Sequence, residues 1–474
     1  MNDLPPKHNH IHLIAICGVG MASLAGLLQS RGYRVTGSDE NVYPPMSAYL
    51  QGIGIPILTG YKREHIAVRP DLVIVGNVVT RSNPEVQAVL EDDIPYISFP
   101  DALGKFLIGS RQALVIAGTH GKTTTTALAA WVLASAALDP GFFVGGVPIN
   151  FGSGWNPGTG SHVVLEGDEY DSAFFDKGPK FLHYRPYRAI LTSLEFDHAD
   201  IYRDLHHLKD AFRQFVRLIP RDGMLVACYD DPAVSEVASA SCCRVISYGD
   251  DSAFEWSAKN VLAQQGKTFF EPCHKGKSDG EIELALIGRH NVKNALAVYA
   301  IGREIGLARG DLLGAFASFS GVKRRQEIKG EKGGVLVIDD FAHHPTAVRE
   351  TIDAVRAAYP GRRLWAVFEP RSNTSRRRIF AREFAQALAS ADRVIVAGLY
   401  RPEKIPEQER LKPAEVVEEI NRSCGACARY VESATEIPPL LVSEARPGDL
   451  VLVMSNGGFD GVQEKILHAL SARD

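Results

Sequence analysis

The chain contains 474 residues, which at about 150 residues per domain is enough for roughly three domains. With 45% hydrophobic and 23% charged residues, it has the composition of a globular protein rather than a disordered chain or a membrane bundle. Lysine and arginine total 52 against 56 acidic residues, so the net charge of -4 argues against nucleic-acid or anionic membrane partners.

The seven cysteines are few for the length and odd in number, which favours reduced thiols over a disulfide framework. Cys424 and Cys427 form an isolated CxxC pair, and because no second pair flanks it we interpret both as incidental thiols. The apolar stretch 11–28 is interrupted by polar and glycine residues and lacks a basic lead-in, so it does not resemble a targeting segment. We expect a cytoplasmic protein.

In chain order, short β-branched runs alternate with helical patterns in three blocks, which predicts parallel sheets with helices on both faces. The first block, 1–108, opens with a strand at 12–17 and a helix at 21–30. The second block, 109–321, has a strand at 114–117, a helix at 122–135 and a polar meander at 256–286. The third block, 322–474, contains strands at 335–339, 364–368, 393–397 and 450–454. The predicted fold class is therefore α/β with three domains.

Within the second block, the run Gly118–Thr124 (GTHGKTT) connects a predicted strand to a predicted helix, which is the context of a phosphate-binding loop. Glycines turn backbone amides toward an anion, Lys122 can reach the β and γ phosphates, and the Thr123 hydroxyl can bind Mg²⁺. One departure is Ile116, which occupies the place of the usual first glycine. We predict nucleoside triphosphate binding by the residues of this loop, namely Gly118, Thr119, His120, Gly121, Lys122, Thr123 and Thr124.

Acidic residues follow the next strands of the second block. Glu166, Asp168, Glu169 and Asp171 come directly after the predicted strand 162–165, at the sheet edge that also carries the phosphate loop. At least one of these carboxylates is a sensible Mg²⁺ ligand, but four are more than one ion needs. For Asp168 and Asp171, a solvated turn or a helix cap is about as likely as a functional role. His198 ends another strand at the same edge and could bind a second metal ion or orient a reacting group. A lone histidine is more often structural, but its position at a strand end beside the phosphate loop favours a functional role here.

The first block carries a dinucleotide-type pattern. Gly18 and Gly20 lie between a strand and a helix, Ser23 replaces the third glycine, and Asp39 ends the next strand. This pattern predicts a phosphate at the helix terminus and an Asp39 contact to a ribose or base, and a glycine turn without a ligand is the alternative.

The third block and the residues before it contribute polar clusters at predicted strand ends or helix starts. They are 289–294 (RHNVKN), 323–327 (KRRQE), 339–345 (DDFAHHP) and 369–374 (EPRSNT). Arginine can clamp a phosphate or carboxylate and asparagine can read an adenine edge, but each cluster could also serve capping or surface pairing. The basic run 376–378 is interpreted as a solvated face.

Taken together, these motifs resemble the Mur ligase family, ATP-dependent enzymes that join amino acids or peptides to a UDP-muramyl precursor of peptidoglycan. The likeness rests on the shortened phosphate loop, on Gly288–Asn291 with Asn294, on Arg324 and Arg325, and on the 339–345 run. It implies a Rossmann-like UDP-binding domain, a central P-loop domain with a mostly parallel sheet, and a Rossmann-like C-terminal domain. The runs 166–174, 77–83 and 368–377 favour the branch that uses the tripeptide L-alanyl-γ-D-glutamyl-meso-diaminopimelate. In several family members a carbamylated lysine follows the His198 position, and no clear equivalent is present here.

The resemblance implies that ATP phosphorylates the lactyl carboxylate of UDP-N-acetylmuramate and that the peptide amine attacks the resulting acyl phosphate. Lys122, Glu166 and His198 are the expected catalytic residues, with Mg²⁺ on Thr123, Glu166, Glu169 and His198. The expected ATP contacts beyond the loop are His290, Asn291, Asn294, Arg325 and Asp340, which implies domain closure during catalysis. The expected substrate contacts are Gly18, Gly20, Met21, Asp39, Asn83, His343, Arg371 and Asn373.

Three other functions are weighed against this one. The same chemistry with L-alanine as the amine is the nearest alternative, and composition does not separate the two. An NAD-linked oxidoreductase would leave the Lys122 loop unexplained, and a non-enzymatic nucleotide-sugar sensor would not need Glu166 and His198. The expected oligomeric state is a monomer or a weak homodimer.

Overall fold

The computed structural model describes residues 9–197, 201–264 and 266–471. These residues form two compact units. The first unit contains 9–194, 206–256 and 297–315, and the second contains 195–197, 201–205, 257–264, 266–296 and 316–471. Within the described ranges, every helix is too short or too polar to span a lipid bilayer.

The first unit opens with a five-stranded parallel sheet. The sheet order is β3-β2-β1-β4-β5, with β1 His10–Ile14, β2 Arg34–Asp39, β3 Ile57–Thr59, β4 Leu72–Val75 and β5 Tyr96–Ser98. Two of its inner strands, β1 and β4, are fully buried, as expected where helices cover both faces of a parallel sheet. The helices are α1 Val19–Ser30, α2 Met46–Gly52, α3 Pro84–Glu91 and α4 Phe99–Leu103.

A second sheet of the first unit carries the phosphate loop. The order of its strands is β14-β13-β12-β6-β9-β7-β8, and every neighbouring pair is parallel except β7 with β8. The elements are β6 Gln112–Ala117, α5 Lys122–Ser135, β7 Gly141–Phe143, β8 Trp155–Asn156, β9 His162–Gly167, β12 Arg188–Leu191, α6 Leu205–Arg217, β13 Met224–Cys228, α7 Pro232–Ala238 and β14 Arg244–Gly249, with a separate hairpin of β10 Asp171–Ala173 and β11 Asp176–Pro179. Because β9 and β12 flank β6, their carboxyl ends meet the loop.

The stretch predicted as a polar meander instead forms four strands. They are β15 Trp256–Gln264, β16 Lys267–His274, β17 Lys277–Ser278 and β18 Ile282–Leu284, and β16 pairs antiparallel with both β17 and β18. Exposed and buried residues alternate along part of β16, so one face of the strand can be polar while the other is buried. The polar composition of this stretch therefore did not indicate its strands. Two helices follow, α8 Arg289–Glu304 and α9 Arg309–Ser318.

The second unit contains the C-terminal sheet, whose order is β19-β20-β24-β21-β22-β23. Side chains alternate between its two faces: Leu336 and Ile338 belong to one apolar core, and Val335 and Val337 belong to the core on the other face. The strands are β19 Glu327–Lys332, β20 Val335–Asp340, β21 Leu364–Phe368, β22 Arg393–Ala397, β23 Ala428–Val431 and β24 Leu450–Met454. The helices are α10 Pro345–Ala358, α11 Ala381–Leu388, α12 Pro413–Cys424, α13 Ile437–Glu444 and α14 Val462–Ser471.

The predicted α/β class with mostly parallel sheets is confirmed. The domain limits at 108/109 and 321/322 stay a prediction.

One cysteine prediction is wrong. Cys424 and Cys427 are joined in a disulfide rather than being incidental thiols. The reason is local: α12 ends at Cys424, and the positive φ values of Gly425 and Ala426 turn the chain back so that Cys427 faces the helix end. The other five cysteines are free, as expected.

Candidate active site

The phosphate loop lies between β6 and α5, where the sequence predicts it. Gly118 has φ +134° and a Cβ there would lie 2.2 Å from the Thr192 hydroxyl, so the loop requires glycine at this position. Gly121 precedes α5 at φ +78°, also in the left-handed region. The loop is held by the segment that follows β12, since the Thr119 amide donates to the Ser193 carbonyl at 2.8 Å and the His120 amide to the Ser193 hydroxyl at 3.0 Å. Sequence reasoning missed this contribution of Ser193, which no motif marks.

Lys122 starts α5 and forms an ion pair with Glu169. Its Nζ donates to the two carboxylate oxygens at 3.0 and 2.8 Å and also to the Gly118 carbonyl at 2.6 Å. Glu169 is 1% exposed. Burial, the largest influence, lowers the pKa of Lys122, but the charges of Glu169 and Asp168 outweigh it and leave the pKa raised. The lysine is therefore an ammonium at neutral pH, and it lies beside the Gly118 carbonyl of the loop.

Thr123 and Glu166 form a second polar pair at the same sheet edge. The Thr123 hydroxyl donates to Glu166 Oε1 at 2.8 Å, and the Gly145 amide donates to Glu166 Oε2 at 2.7 Å. Ile116 and Glu166 are register partners on β6 and β9, which explains why the carboxylate reaches the first turn of α5. Thr124 also lies in that turn and is 8% exposed. A hydroxyl and a carboxylate are oxygen donors of the kind that Mg²⁺ binds, so these residues fit the ion.

The other carboxylates of this region have basic partners. Asp168 accepts from Lys180 at 2.7 Å, and Asp171 lies 3.4 Å from Lys177. Asp168 lies in the loop after β9 and Asp171 begins β10, and each has a lysine partner that gives it a structural role. His198, the expected ligand of a second metal ion, falls outside the described residues.

At the amino end, Gly18 precedes α1 and Gly20 lies in its first turn. A Cβ on Gly20 would come within 3.3 Å of the Phe99 ring, so the glycine permits close packing there, and Met21 is 6% exposed. Asp39 ends β2, and its carboxylate accepts from the amides of Cys17 and Asn41, both at 2.8 Å. The aspartate therefore ties the end of β2 to the glycine turn.

The structure gives Asn83 a local role as well. Its side-chain oxygen accepts from the Glu85 amide at 2.9 Å and from the Val86 amide at 3.3 Å, which caps α3. The sequence analysis missed Glu85, which is fully buried and accepts from the Ser38 hydroxyl at 2.5 Å, with His65 Nδ1 at 2.6 Å. An acidic residue in the first turn of a helix usually faces solvent, so the sequence carries no signal for this network.

In the second unit, the predicted adenine-side residues lie around one asparagine. The side-chain nitrogen of Asn291 donates to the Ile287 carbonyl at 2.9 Å and to Gln326 Oε1 at 3.2 Å. Its side-chain oxygen accepts from the side chain of Asn294 at 3.2 Å. His290 Nε2 lies 3.4 Å from the Gln326 amide nitrogen. These contacts join the start of α8 to the loop before β19.

That loop is anchored at the carboxyl end of β20. Asp340 accepts from the Gln326 amide at 2.8 Å and the Ala342 amide at 2.7 Å. Burial raises the pKa of Asp340, while the nearby charge of Arg325 acts in the opposite direction. The Arg325 guanidinium lies 4.6 Å from the Phe341 ring centroid, a cation–π distance.

The remaining predicted substrate residues follow β20 and β21. His343 Nδ1 lies 3.0 Å from the Phe341 carbonyl. The Arg371 guanidinium lies 3.6 Å from the Tyr400 ring centroid, and Asn373 accepts from Arg376 at 2.6 Å.

The basic run is not uniformly solvated, contrary to the prediction. Arg376 is only 5% exposed, because its guanidinium donates to the carbonyls of Ser372, Tyr400 and Arg401. Arg378 is exposed as expected. Sequence alone does not distinguish the two, since the difference arises from carbonyls that converge from two separate loops.

Three family models match most of the chain. They are the Mur ligase family catalytic domain at residues 10–111, the Mur ligase middle domain at 116–302 and the Mur ligase glutamate ligase domain at 324–457. The chain therefore belongs to the Mur ligase family, as the motifs predict, and is a ligase of that ATP-dependent class.

Within this family, the chain is similar over nearly its whole length to ligases that use UDP-N-acetylmuramate. The chain is 41% identical over 464 residues to the UDP-N-acetylmuramate--L-alanyl-gamma-D-glutamyl-meso-2,6-diaminoheptandioate ligase of Escherichia coli (strain K12), with 98% of each chain covered. It is 35% identical over 460 residues to the UDP-N-acetylmuramate--L-alanine ligase of Salinibacter ruber, covering 97% of this chain and 94% of that one. A crystal structure of a murein peptide ligase from Psychrobacter arcticus 273-4 aligns with a TM-score of 0.71 at 35% identity, covering 98% of this chain and 99% of that one.

Proposed function

We propose that this protein joins L-alanyl-γ-D-glutamyl-meso-diaminopimelate to UDP-N-acetylmuramate at the expense of ATP. The γ-phosphoryl group passes to the lactyl carboxylate, ADP leaves, and the peptide amine displaces orthophosphate to form the amide with loss of a proton. A carboxylate is a poor electrophile and phosphate is a good leaving group, so activation divides an uphill condensation into two feasible displacements.

The observation that carries this proposal is the position of two polar pairs at one loop. Lys122 with Glu169 and Thr123 with Glu166 stand at the start of α5, where β6 and β9 end. Phosphoryl transfer brings anions together, so catalysis depends on fixed positive charge and on directed N–H groups. The raised pKa of Lys122 keeps that charge in place at neutral pH.

Thr123 and Glu166 are proposed to hold Mg²⁺, with Glu169 and His198 as further ligands. The ion supplies charge neutralisation for the phosphates when it is bound. The residues' own part is positional: the Gly145 amide fixes Glu166, and the Thr192 and Ser193 contacts fix the loop.

The other predicted contacts stay proposals. The residues proposed for the UDP-sugar are Gly18, Gly20, Met21, Asp39 and Asn83. Those proposed for the adenine and phosphate side of ATP are His290, Asn291, Asn294, Arg325 and Asp340. Those proposed for the amine substrate are His343, Arg371 and Asn373. Asp39, Asn83 and Asp340 already accept backbone N–H groups, so their proposed contacts would add to structural roles.

L-Alanine remains the second candidate amine, because the chain is also 35% identical to an L-alanine ligase. The higher identity of 41% to the tripeptide ligase favours the tripeptide. The test is to incubate the protein with ATP, Mg²⁺ and UDP-N-acetylmuramate, to offer each amine separately, and to determine product mass and initial rate. A rate with L-alanine equal to or above that with the tripeptide would reject the tripeptide assignment.

A further inference from the structure

A groove of about 540 Å³ lies on the second unit between α11 and α12. Its walls come from the start of α11, from the segment before α12 and from one face of α12 itself. The two segments are parts of the loops that follow β21 and β22. Because parallel strands present their carboxyl ends at one edge, these loops arise at the same sheet edge as Asp340.

Most of the groove's charges fall into two groups. Lys412 with Glu415 and Arg422 with Glu419 are ion pairs within α12 or at its start, at 2.7 and 2.5 Å. Arg378 and Arg382, by contrast, have no ion-pair or hydrogen-bond partner for their side chains among the residues that the structure describes. The carboxylate of Glu407 on the opposite segment likewise has no side-chain partner within the described ranges. Two free guanidinium groups and one free carboxylate thus line one groove.

The groove also has an apolar part. Ala381 and Val416 contribute to its lining, and Val416 is 3% exposed. A ligand that suits this surface would carry a carboxylate, an ammonium group and a short aliphatic segment. These are the features of an amino acid at the end of a methylene chain.

The frame of the groove is fixed by other arginines. Arg376 joins the two loops through its bonds to the Tyr400 and Arg401 carbonyls at 3.1 and 3.0 Å. The Leu411 amide donates to the Arg376 carbonyl at 2.7 Å, and Arg377 pairs with Glu409. The unpaired charges are therefore carried on ordered segments, which lowers the entropy cost of binding a ligand.

We propose that this groove binds the free amino-acid end of the diaminopimelyl residue, with Arg378 and Arg382 on its carboxylate and Glu407 on its ammonium group. The inference rests on the proposed function. A 2,6-diaminoheptanedioate acylated at one end keeps an amino group, a carboxylate and methylenes at the other. Each of these has a complement in the groove, namely a carboxylate, guanidinium groups and apolar side chains. The groove thus selects the amine substrate by its far end, away from the attacking amine.

The test compares two peptides on the full-length enzyme: L-alanyl-γ-D-glutamyl-meso-diaminopimelate and the same tripeptide ending in L-lysine, which lacks the distal carboxylate. The variant is Arg378→Gln with Arg382→Gln. The control is Arg349→Gln, an exposed arginine on α10 outside the groove. Charge-assisted hydrogen bonds are the strong ones, so we expect kcat/KM for the diaminopimelyl peptide to fall about tenfold to a hundredfold, mainly through KM. The rate of the double variant with the lysyl peptide should stay unchanged. The control variant should keep its rates with both peptides.

A second variant, Glu407→Gln, should raise KM for both peptides, because both retain the distal ammonium group. The inference is overturned if the double arginine variant ligates the diaminopimelyl peptide normally, or if both peptides lose the same factor. A wild-type enzyme that leaves the tripeptide unreacted overturns the proposed function as well. A wild-type enzyme that ligates it but is insensitive to these changes overturns the groove assignment alone.

Discussion

The positive charge of Lys122 has two expected roles, one in catalysis and one in the stability of the fold, and replacing this residue tests both. Lys122→Ala removes the ammonium group that forms an ion pair with the Glu169 carboxylate, which is 1% exposed. We expect two losses from this one change: product formation falls at least about a hundredfold, since a fixed donor at the transferring phosphate is lost, and the fold is weakened.

The second loss can be estimated from the geometry. Opposite unit charges 2.8 Å apart attract by roughly 6 kcal/mol at an effective dielectric constant of about 20. Desolvation offsets most of this attraction, but removing one partner alone exposes the full penalty, so Lys122→Ala should lower the free energy of unfolding by about 3–5 kcal/mol. Adding Glu169→Gln removes the buried negative charge and should recover most of that loss.

The assay is urea unfolding of wild type, both single variants and the double variant, together with ligase activity of each. The double variant should be markedly more stable than Lys122→Ala and equally inactive. A loss below about 1 kcal/mol for Lys122→Ala would show that the pair behaves as an exposed one and would refute the reasoning. Normal turnover by Lys122→Ala or by the double variant would refute the role of Lys122 in phosphoryl transfer.

Three further predictions concern other residues. Burial raises the pKa of Glu85, but hydrogen bonds from His12, Ser38 and His65 outweigh burial and leave the pKa lowered from 4.5. The carboxylate therefore stabilises the fold above pH 4.5, and this contribution is lost as the pH falls through the lower, folded-state pKa. In thermal melts, Glu85→Gln should destabilise the protein at pH 7, and the difference from wild type should shrink as the pH is lowered below 4.5. Asn83→Ala should cost about 0.5–2 kcal/mol in urea unfolding, since two amide groups of α3 lose their cap, whereas Asn83→Asp should retain most of the stability. Thr123→Val should raise the Mg²⁺ concentration needed for half-maximal rate, while Thr123→Ser should not; equal curves for the two would exclude a role of the hydroxyl in holding the ion.

The sequence predicts the parts of the site that rest on local patterns. The loop at 118–124 needs glycines at defined positions and a helix after them, and both are read directly from neighbouring residues. The strand-end positions of Glu166 and Asp39 follow in the same way, from buried runs that end in a carboxylate. Each of these signals lies within a few residues of chain.

Sequence reasoning failed where partners come from distant segments. The buried pair of Lys122 and Glu169 joins residues 47 positions apart, and Glu85 meets Ser38 across the same distance in sequence. Neither pairing is encoded in a spacing. Arg376 was misread because its carbonyl partners lie in two loops, and β15–β18 were missed because strands that are polar on one face resemble loops in composition.

If ATP activates the acid before the amine attacks, one oxygen of the acid must leave with the phosphate, so the path of that oxygen reveals whether the acyl phosphate forms. UDP-N-acetylmuramate labelled with ¹⁸O in its lactyl carboxylate is incubated with the protein, ATP, Mg²⁺ and the tripeptide, and the released orthophosphate is analysed by mass spectrometry. An acyl-phosphate intermediate predicts one labelled oxygen in each phosphate released during amide formation. Product formed with unlabelled phosphate would contradict it.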